Sequence, residues 1–164
     1  MPDLKLLVLS ARAVHEMLPY GECADLVAGA LAALARGEVY QPLRTVMQPP
    51  GRDGSPPPGL MALMPAIRPG GAVVPDPDAA YGLKAICIFP GNPGLGKDAH
   101  QGVVLLSSPD TGEPQALINA SALTEIRTAA ASVVATRLLA RADASQLAII
   151  GTGVQARAHA IALA

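Results

Sequence analysis

Leu147-Ala148-Ile149-Ile150-Gly151-Thr152-Gly153-Val154-Gln155-Ala156 is the stretch of sequence that decides the fold. Its four apolar residues indicate a short buried strand, which runs into a glycine turn and then into helix-forming residues. A dinucleotide-binding βαβ unit begins in this way: Gly151 allows the tight turn, and Gly153 lets a phosphate approach the backbone. Ala156 supplies the third small residue, which packs the helix. The stretch therefore predicts a strand over residues 147–150, followed by a helix whose N-terminus binds a pyrophosphate.

The glycine turn lies close to the end of the sequence, at Ala164. A complete unit needs about thirty residues, with a ribose-reading side chain roughly 20 residues beyond the glycines. We therefore expect residues 1–142 to form one domain and residues 143–164 to be the truncated start of a cofactor-binding domain, so that the sequence is the front part of a longer enzyme. Because the ribose-reading position falls outside these residues, the sequence leaves the choice between NAD and NADP open.

Composition narrows the class of protein. The 164 residues are 51% hydrophobic and 15% charged, against a usual charged fraction of about 25%, so a large apolar surface needs cover and an oligomer is expected. A net charge of −1 and 2% aromatic residues argue against nucleic acid and anionic membranes as partners. The sequence has no signal-peptide core and no apolar run of about 18 residues, which predicts a cytoplasmic protein. Cys23 and Cys87 lack the spacing of a disulfide framework or a metal site.

Apolar periodicity predicts an α+β fold for the first domain. The predicted strands are residues 5–9, 43–48, 60–64, 81–89, 103–107 and 115–118, with a Pro/Gly loop over residues 49–59 and a hairpin turn at Pro109-Asp110-Thr111-Gly112 between the last two strands. The predicted helices are a short one capped by Ser10, residues 22–36, and residues 121–141, in which Ile126, Ala130, Val133, Val134 and Leu138 recur on one side.

Three cations interrupt otherwise apolar segments: Arg44, Lys84 and Arg127. Charged side chains are rarely buried without a counter-ion, and a substrate carboxylate would provide one, since guanidinium groups bind it in two-pronged geometry. The same residues would be ordinary on the solvent face of a strand or helix, and spacing alone leaves both interpretations open. His100, which follows a Gly/Asn-rich loop at a strand entrance, is a further candidate for the mouth of a pocket.

Five segments, taken together, resemble the ornithine cyclodeaminase/mu-crystallin family in order and spacing, and the resemblance spans nearly the whole chain. Its most specific parts are the helix start Leu-Thr-x-x-Arg-Thr-Ala-Ala and the turn Gly-x-Gly-x-Gln-Ala. The segments are Gln41-Pro42-Leu43-Arg44-Thr45, Leu63-Met64-Pro65, Gly82-Leu83-Lys84, residues 123–130 and residues 151–156.

The resemblance implies a homodimer in which an N-terminal α+β domain holds the substrate and the dimer contacts, and a Rossmann domain binds NAD(H) or NADP(H). It implies that Arg44 and Arg127 bind the carboxylate of an amino acid and that Lys84 is the catalytic residue beside the reacting carbon. The implied cofactor-binding residues are Thr128, Gly151, Thr152, Gly153, Val154 and Gln155.

The reaction that names the family begins when hydride leaves the α-carbon of ornithine for NAD; the side-chain amine then attacks the imine, ammonia departs, and the cyclic imine is reduced to proline. Other members are ketimine reductases or amino-acid dehydrogenases, and mu-crystallin binds a hormone, so a non-catalytic ligand-binding role is a further alternative. The family's catalytic aspartate lies beyond residue 164, which predicts an inactive isolated chain. Ala62 also replaces a glutamate of ornithine cyclodeaminases, which favours an imino acid or a small monoamino acid over ornithine.

Overall fold

Six strands form one mixed sheet in the computed structural model, which describes residues 5–51, 54–55, 57–70 and 76–164. The sheet has the order β1-β6-β5-β4-β3-β2, with β1 parallel to β6 and every other pair antiparallel. The strands are β1 (Leu7–Leu9), β2 (Thr45–Met47), β3 (Leu60–Arg68), β4 (Ala80–Ile88), β5 (His100–Ser107) and β6 (Pro114–Asn119). The predicted α+β fold of the first domain is confirmed as a mixed helix-and-sheet structure.

Among the described residues, four helices accompany the sheet: α1 (Ala11–Met17), α2 (Tyr20–Ala35), α3 (Ala120–Leu139) and α4 (Val154–Leu163), with a short 3-10 turn at Asn92–Leu95. Ser10 caps α1 as predicted, because its hydroxyl accepts a hydrogen bond from the amide of Ala13 at 3.3 Å. Asn119 caps α3 in the same way, accepting from the amide of Ala122 at 3.0 Å. The strand before α3 therefore passes directly into the helix.

The core lies between the helices and one face of the sheet. Ile126 is almost fully buried, and Ala129 and Ala130 are fully buried, because their small side chains let α3 approach its neighbours closely. Leu138, predicted on the same apolar side, is 77% exposed. That prediction was wrong, because residues 135–140 at the end of α3 are all exposed. The apolar spacing of the sequence extends beyond the part of the helix that other elements cover.

The predicted hairpin is confirmed, with Val104 opposite Ile118 and a register shift between Leu106 and Ser107. Next to it, Gly102 has φ +153°, and a Cβ there would lie 2.1 Å from the carbonyl oxygen of Ala85. Strands β4 and β5 thus approach each other too closely at this point for any residue other than glycine.

Residues 147–150 do not form the predicted strand. A strand needs a hydrogen-bonded neighbour, and none of the described strands pairs with this segment, in which Leu147 is 56% exposed and Ile150 is fully exposed. The helix after the turn does form, and Ala158 of α4 is fully buried. From Asp143 the backbone is irregular up to Gly153, and a packed helix follows.

The sheet face opposite the helices is apolar. Strand pairing places Met61, Leu83 and Val103 on it, and Met61 and Val103 are 42% and 40% exposed. No helix in the described ranges covers this face. In the part of the chain that the structure describes, no single helix has the length and apolarity to cross a membrane, although α1 and α2 pass that test as a pair bent by 87°.

Candidate functional site

Lys84 lies in the middle of β4, between Met64 on one side and Val104 on the other. Alternation along the strand places it on the same face as buried Ile86, beneath α3. Its amine reaches the helix and donates a hydrogen bond from Nζ to Oγ1 of Thr124 at 2.7 Å. The only lysine in the central strands is therefore half-buried under the helix rather than on the open face of the sheet.

The structure brings the three predicted substrate-binding cations together. Burial lowers the pKa of Lys84 to about 8, and the charges of Arg127 and then Arg44 act in the same direction. Burial also lowers the pKa of Arg127, and Arg44 adds to this effect, although Arg127 remains partly exposed. Each cation thus lies within electrostatic reach of the other two, although they come from β4, α3 and the segment before β2.

None of these three cations forms an ion pair with a carboxylate of the described residues. Other arginines in the fold do: Arg68, for example, pairs with Asp76 at 2.8 Å and with Asp78 at 3.3 Å. Lys84 and Arg127 are partly desolvated, whereas Arg44 is exposed. Three neighbouring positive charges without a counter-ion among the described residues form a site that favours an anion. Guanidinium groups match the geometry of both carboxylates and phosphates, so either anion suits this combination of charges.

A cleft of about 660 Å³ adjoins this cation cluster. One wall is the first half of α3, and the glycine turn before α4 and the loop before β5 form the rest. Its lining includes four of the predicted cofactor-binding residues, Thr128, Gly153, Val154 and Gln155, together with Thr124 and His100. The other two predicted cofactor-binding residues, Gly151 and Thr152, precede the lining residues in the turn and do not line the cleft.

The glycine turn has the backbone that a phosphate site needs. Gly151 has φ +120°, which a residue with a Cβ rarely adopts. Gly153 is the N-cap of the ten-residue helix α4, no side chain caps this helix end, and a Cβ at Gly153 would meet no heavy atom within 4 Å. The first amides of α4 are thus approachable, and the turn fits a dinucleotide pyrophosphate.

Polar contacts connect this region with the surrounding helices. Glu125 accepts a hydrogen bond from the hydroxyl of Tyr20 and pairs with His15, both at 3.5 Å. Burial raises the pKa of Tyr20, and Glu125 raises it further. On α4, His159 lies 2.9 Å from the Ser132 hydroxyl of α3 and 2.7 Å from the carbonyl oxygen of Gln155. These contacts fix α1, α2 and α4 against α3.

Sequence reasoning missed Thr124. The family motif Leu-Thr-x-x-Arg-Thr, which contains this residue, is the one sequence feature that could have marked it as a site residue. Nothing in the sequence indicates its contact with Lys84, which is forty residues away. Ala62, where the sequence departs from ornithine cyclodeaminases, is 4% exposed and belongs to the buried cluster with Ile86 and Ala120. No carboxylate therefore enters the helix-covered face at that position.

Known proteins resemble this chain in fold and in sequence. The chain is 36% identical over 158 residues to a Delta(1)-pyrroline-2-carboxylate reductase of Bacillus cereus, a match covering 96% of the chain and 45% of that protein. Among solved structures it resembles Thermococcus litoralis Delta(1)-pyrroline-2-carboxylate reductase in complex with NADH and L-proline, with 32% identity, a TM-score of 0.82, and coverage of 96% and 45%. It also resembles a dimeric archaeal alanine dehydrogenase with bound NAD, with 30% identity, a TM-score of 0.82, and coverage of 96% and 44%.

The chain thus spans less than half of the length of these relatives. The family model for ornithine cyclodeaminase/mu-crystallin proteins matches residues 5–164. The chain belongs to the ornithine cyclodeaminase/mu-crystallin family.

Proposed function

We propose that this chain provides the substrate-binding part of an NAD(P)-dependent enzyme that exchanges hydride at the α-carbon of an amino or imino acid. The observation that carries the proposal is the cluster of Arg44, Lys84 and Arg127, which lacks a described counter-ion and adjoins the cleft beside the glycine turn. Hydride exchange at such a carbon needs an anchored substrate and a nearby nicotinamide. In this proposal the cation cluster anchors the substrate carboxylate and the cleft holds the nicotinamide cofactor.

Each cation has a distinct role in this proposal. Arg44 and Arg127 bind and orient the substrate carboxylate. Lys84 is the catalytic residue: with a pKa of about 8, it exchanges a proton readily near neutral pH and so suits proton transfer at the substrate nitrogen. A bound nicotinamide would donate or accept the hydride. The wall of α3 limits the access of water to Lys84, which strengthens every charge interaction there.

Cofactor binding is proposed for the glycine turn and the helix wall. In this proposal residues 1–142 form the substrate and dimerisation domain, and residues 143–164 begin a Rossmann domain. The residues assigned to the cofactor are Thr128, Gly151, Thr152, Gly153, Val154 and Gln155. The relatives with bound NADH or NAD support this assignment.

The substrate we favour is a cyclic imino acid such as Δ1-pyrroline-2-carboxylate. Buried Ala62 and its apolar neighbours Leu60 and Met64 offer no negative charge for a second amino group. The reductase from Bacillus cereus and the proline-bound reductase point in the same direction. The alternatives that remain are ornithine cyclodeamination and dehydrogenation of alanine or a related amino acid.

Two assays test this proposal. The first, made with a longer protein that includes the complete cofactor-binding domain, follows oxidation of NADH and NADPH with Δ1-pyrroline-2-carboxylate, alongside ammonia and proline release from ornithine. The second measures L-proline binding by calorimetry, which needs no turnover. We expect Arg127→Met to weaken binding by about tenfold or more, whereas Arg137→Met, on the same helix but paired with Asp25 at 2.9 Å, should not. Equal L-proline binding by Arg127→Met and Arg137→Met would refute the proposal.

We also propose that the protein is a homodimer. The open apolar face of the sheet, with Met61 and Val103 exposed, is the surface that needs cover. The archaeal alanine dehydrogenase of the same fold is a dimer. A second copy of the chain is the partner whose apolar face matches this one.

A further inference from the structure

Thr124 lies between the two sites described above. Its hydroxyl oxygen contacts Nζ of Lys84 at 2.7 Å, and the residue also lines the cleft with Thr128, Gly153 and Gln155. Thr124 thus touches the cation cluster and also forms part of the cleft wall. A change at this position therefore reaches both sites.

The hydroxyl of Thr124 is oriented by its own helix. It donates its proton to the carbonyl oxygen of Ala120 one turn earlier, at 2.5 Å. A hydroxyl has one proton to donate and two lone pairs that accept. With its proton committed to Ala120, the oxygen presents only lone pairs to Lys84 and acts there as an acceptor.

Lys84 needs such an acceptor. Arg127 of α3 and Arg44 of the segment before β2 are the charged groups that act on its pKa, and both repel its ammonium. Its contact with Thr124 is the only hydrogen bond found for the amine within the described ranges. Without that oxygen, a flexible four-carbon side chain between two cations would turn toward solvent.

We propose that Thr124 is a positioning residue, which holds the Lys84 amine at the wall shared by the cation cluster and the cleft. A role of Thr124 in catalysis rests on the proposed function, but the hydrogen bond between Thr124 and Lys84 does not. An oxygen that accepts from the ammonium stabilises the charged form of Lys84. Removing the oxygen while leaving Arg44, Arg127 and the burial in place makes the amine lose its proton at lower pH.

Competitive labelling of the amines tests this directly, without substrate or cofactor. The full 164-residue chain is treated with trace acetic anhydride at a series of pH values, and the labelling of Lys84 is quantified by peptide mass spectrometry. Lys5 and Lys97, the other two lysines, are internal references. The variants are Thr124→Val, which keeps the branched shape, Thr124→Ser, which keeps the hydroxyl, and Thr128→Val. The last is the matched control, because the Thr128 hydroxyl also bonds one turn back, to the carbonyl oxygen of Thr124, without contacting Lys84.

We expect the midpoint of Lys84 labelling to fall by about one pH unit in Thr124→Val and to stay at the wild-type value in Thr124→Ser and Thr128→Val. Circular dichroism checks folding, and Thr124→Ala provides the same comparison if the valine variant does not fold. A wild-type midpoint in the folded valine or alanine variant overturns the proposal, as does an equal shift in Thr128→Val. Because labelling needs no turnover, a failure of the proposed activity would leave this result unaffected.

Discussion

At the scale of single residues, the site is defined by one lysine with two arginines for neighbours. Lys84 has a pKa of about 8 because burial removes water from its ammonium, and Arg127 and Arg44 add repulsion. A lysine on an open strand would have none of these effects. Burial and the two arginine charges all lower the pKa of Lys84. Their common direction predicts how the pKa responds to removal of Arg127 and how the free energy of unfolding depends on pH.

The first prediction concerns Arg127. Replacing it with methionine removes a positive charge near Lys84, so the pKa of Lys84 should rise from about 8 toward the usual range. The pH profile of amine labelling at Lys84 measures this shift. Arg137→Met, ten residues further along α3 and hence about 15 Å away along the helix axis, should leave the profile in place. A midpoint that falls or stays constant in Arg127→Met would show that the two charges do not interact.

The second prediction concerns stability and pH. A lysine whose pKa is lowered to about 8 from 10.5 has lost its proton in the folded chain at pH values where the unfolded chain still holds it. Stability therefore rises with pH between about 8 and 10.5. The free energy of unfolding of the wild type, minus that of Lys84→Met, should increase across this window in urea titrations at fixed pH values.

Lys97→Met, at an exposed lysine, controls in this experiment for the loss of one positive charge. A wild-type minus Lys84→Met difference that is flat or declines across the same pH window would contradict the lowered pKa.

At the scale of elements, α4 depends on α3 for its position. Ala158 of α4 is fully buried, and His159 of α4 meets Ser132 of α3. The residues between the two helices have irregular backbone, and the Arg141 side chain is 82% exposed. Packing on α3 thus stabilises the helix after the glycine turn, whereas the segment before the turn is exposed and irregular.

Limited proteolysis tests this difference. Trypsin should cleave after Arg141 before it cleaves after Arg157, which lies inside α4. Ala158→Leu overpacks the helix contact at a cost of about 1–3 kcal/mol and should accelerate cleavage after Arg157. Ala160→Leu, at an exposed position of the same helix, is the matched control. Equal cleavage rates in the two variants would mean that α4 does not pack on α3 in solution.

At the scale of the whole molecule, the helices cover one face of the sheet and leave the other apolar face open. The proposed dimer would bury that face. Val103→Asp places a charge on it and should convert the dimer to a monomer in analytical ultracentrifugation, because an unpaired charge at an apolar contact is costly. Leu31→Asp, at a 49% exposed leucine of α2, should remain dimeric. A dimer that survives Val103→Asp but not Leu31→Asp would place the interface on the helices.

Much of the fold follows from the sequence by itself. Strand alternation and turn chemistry predict the hairpin of β5 and β6, helical spacing predicts α2 and α3, and Ser10 caps α1 as its residue type predicts. The family is also apparent from short motifs, because these residues need fixed spacing within one helix start or one turn. These features depend on neighbours in the chain, and the sequence contains all of that information.

Only the tertiary structure decided which residues meet across the chain. It brings Arg44, Lys84 and Arg127 together, places Thr124 against Lys84, and leaves Leu138 exposed. It also leaves residues 147–150 without strand pairing, although their composition is that of a buried strand. The physical reason is the same in these cases: burial, the approach of the three cations and the pairing of residues 147–150 depend on residues distant in sequence, and local periodicity does not specify them.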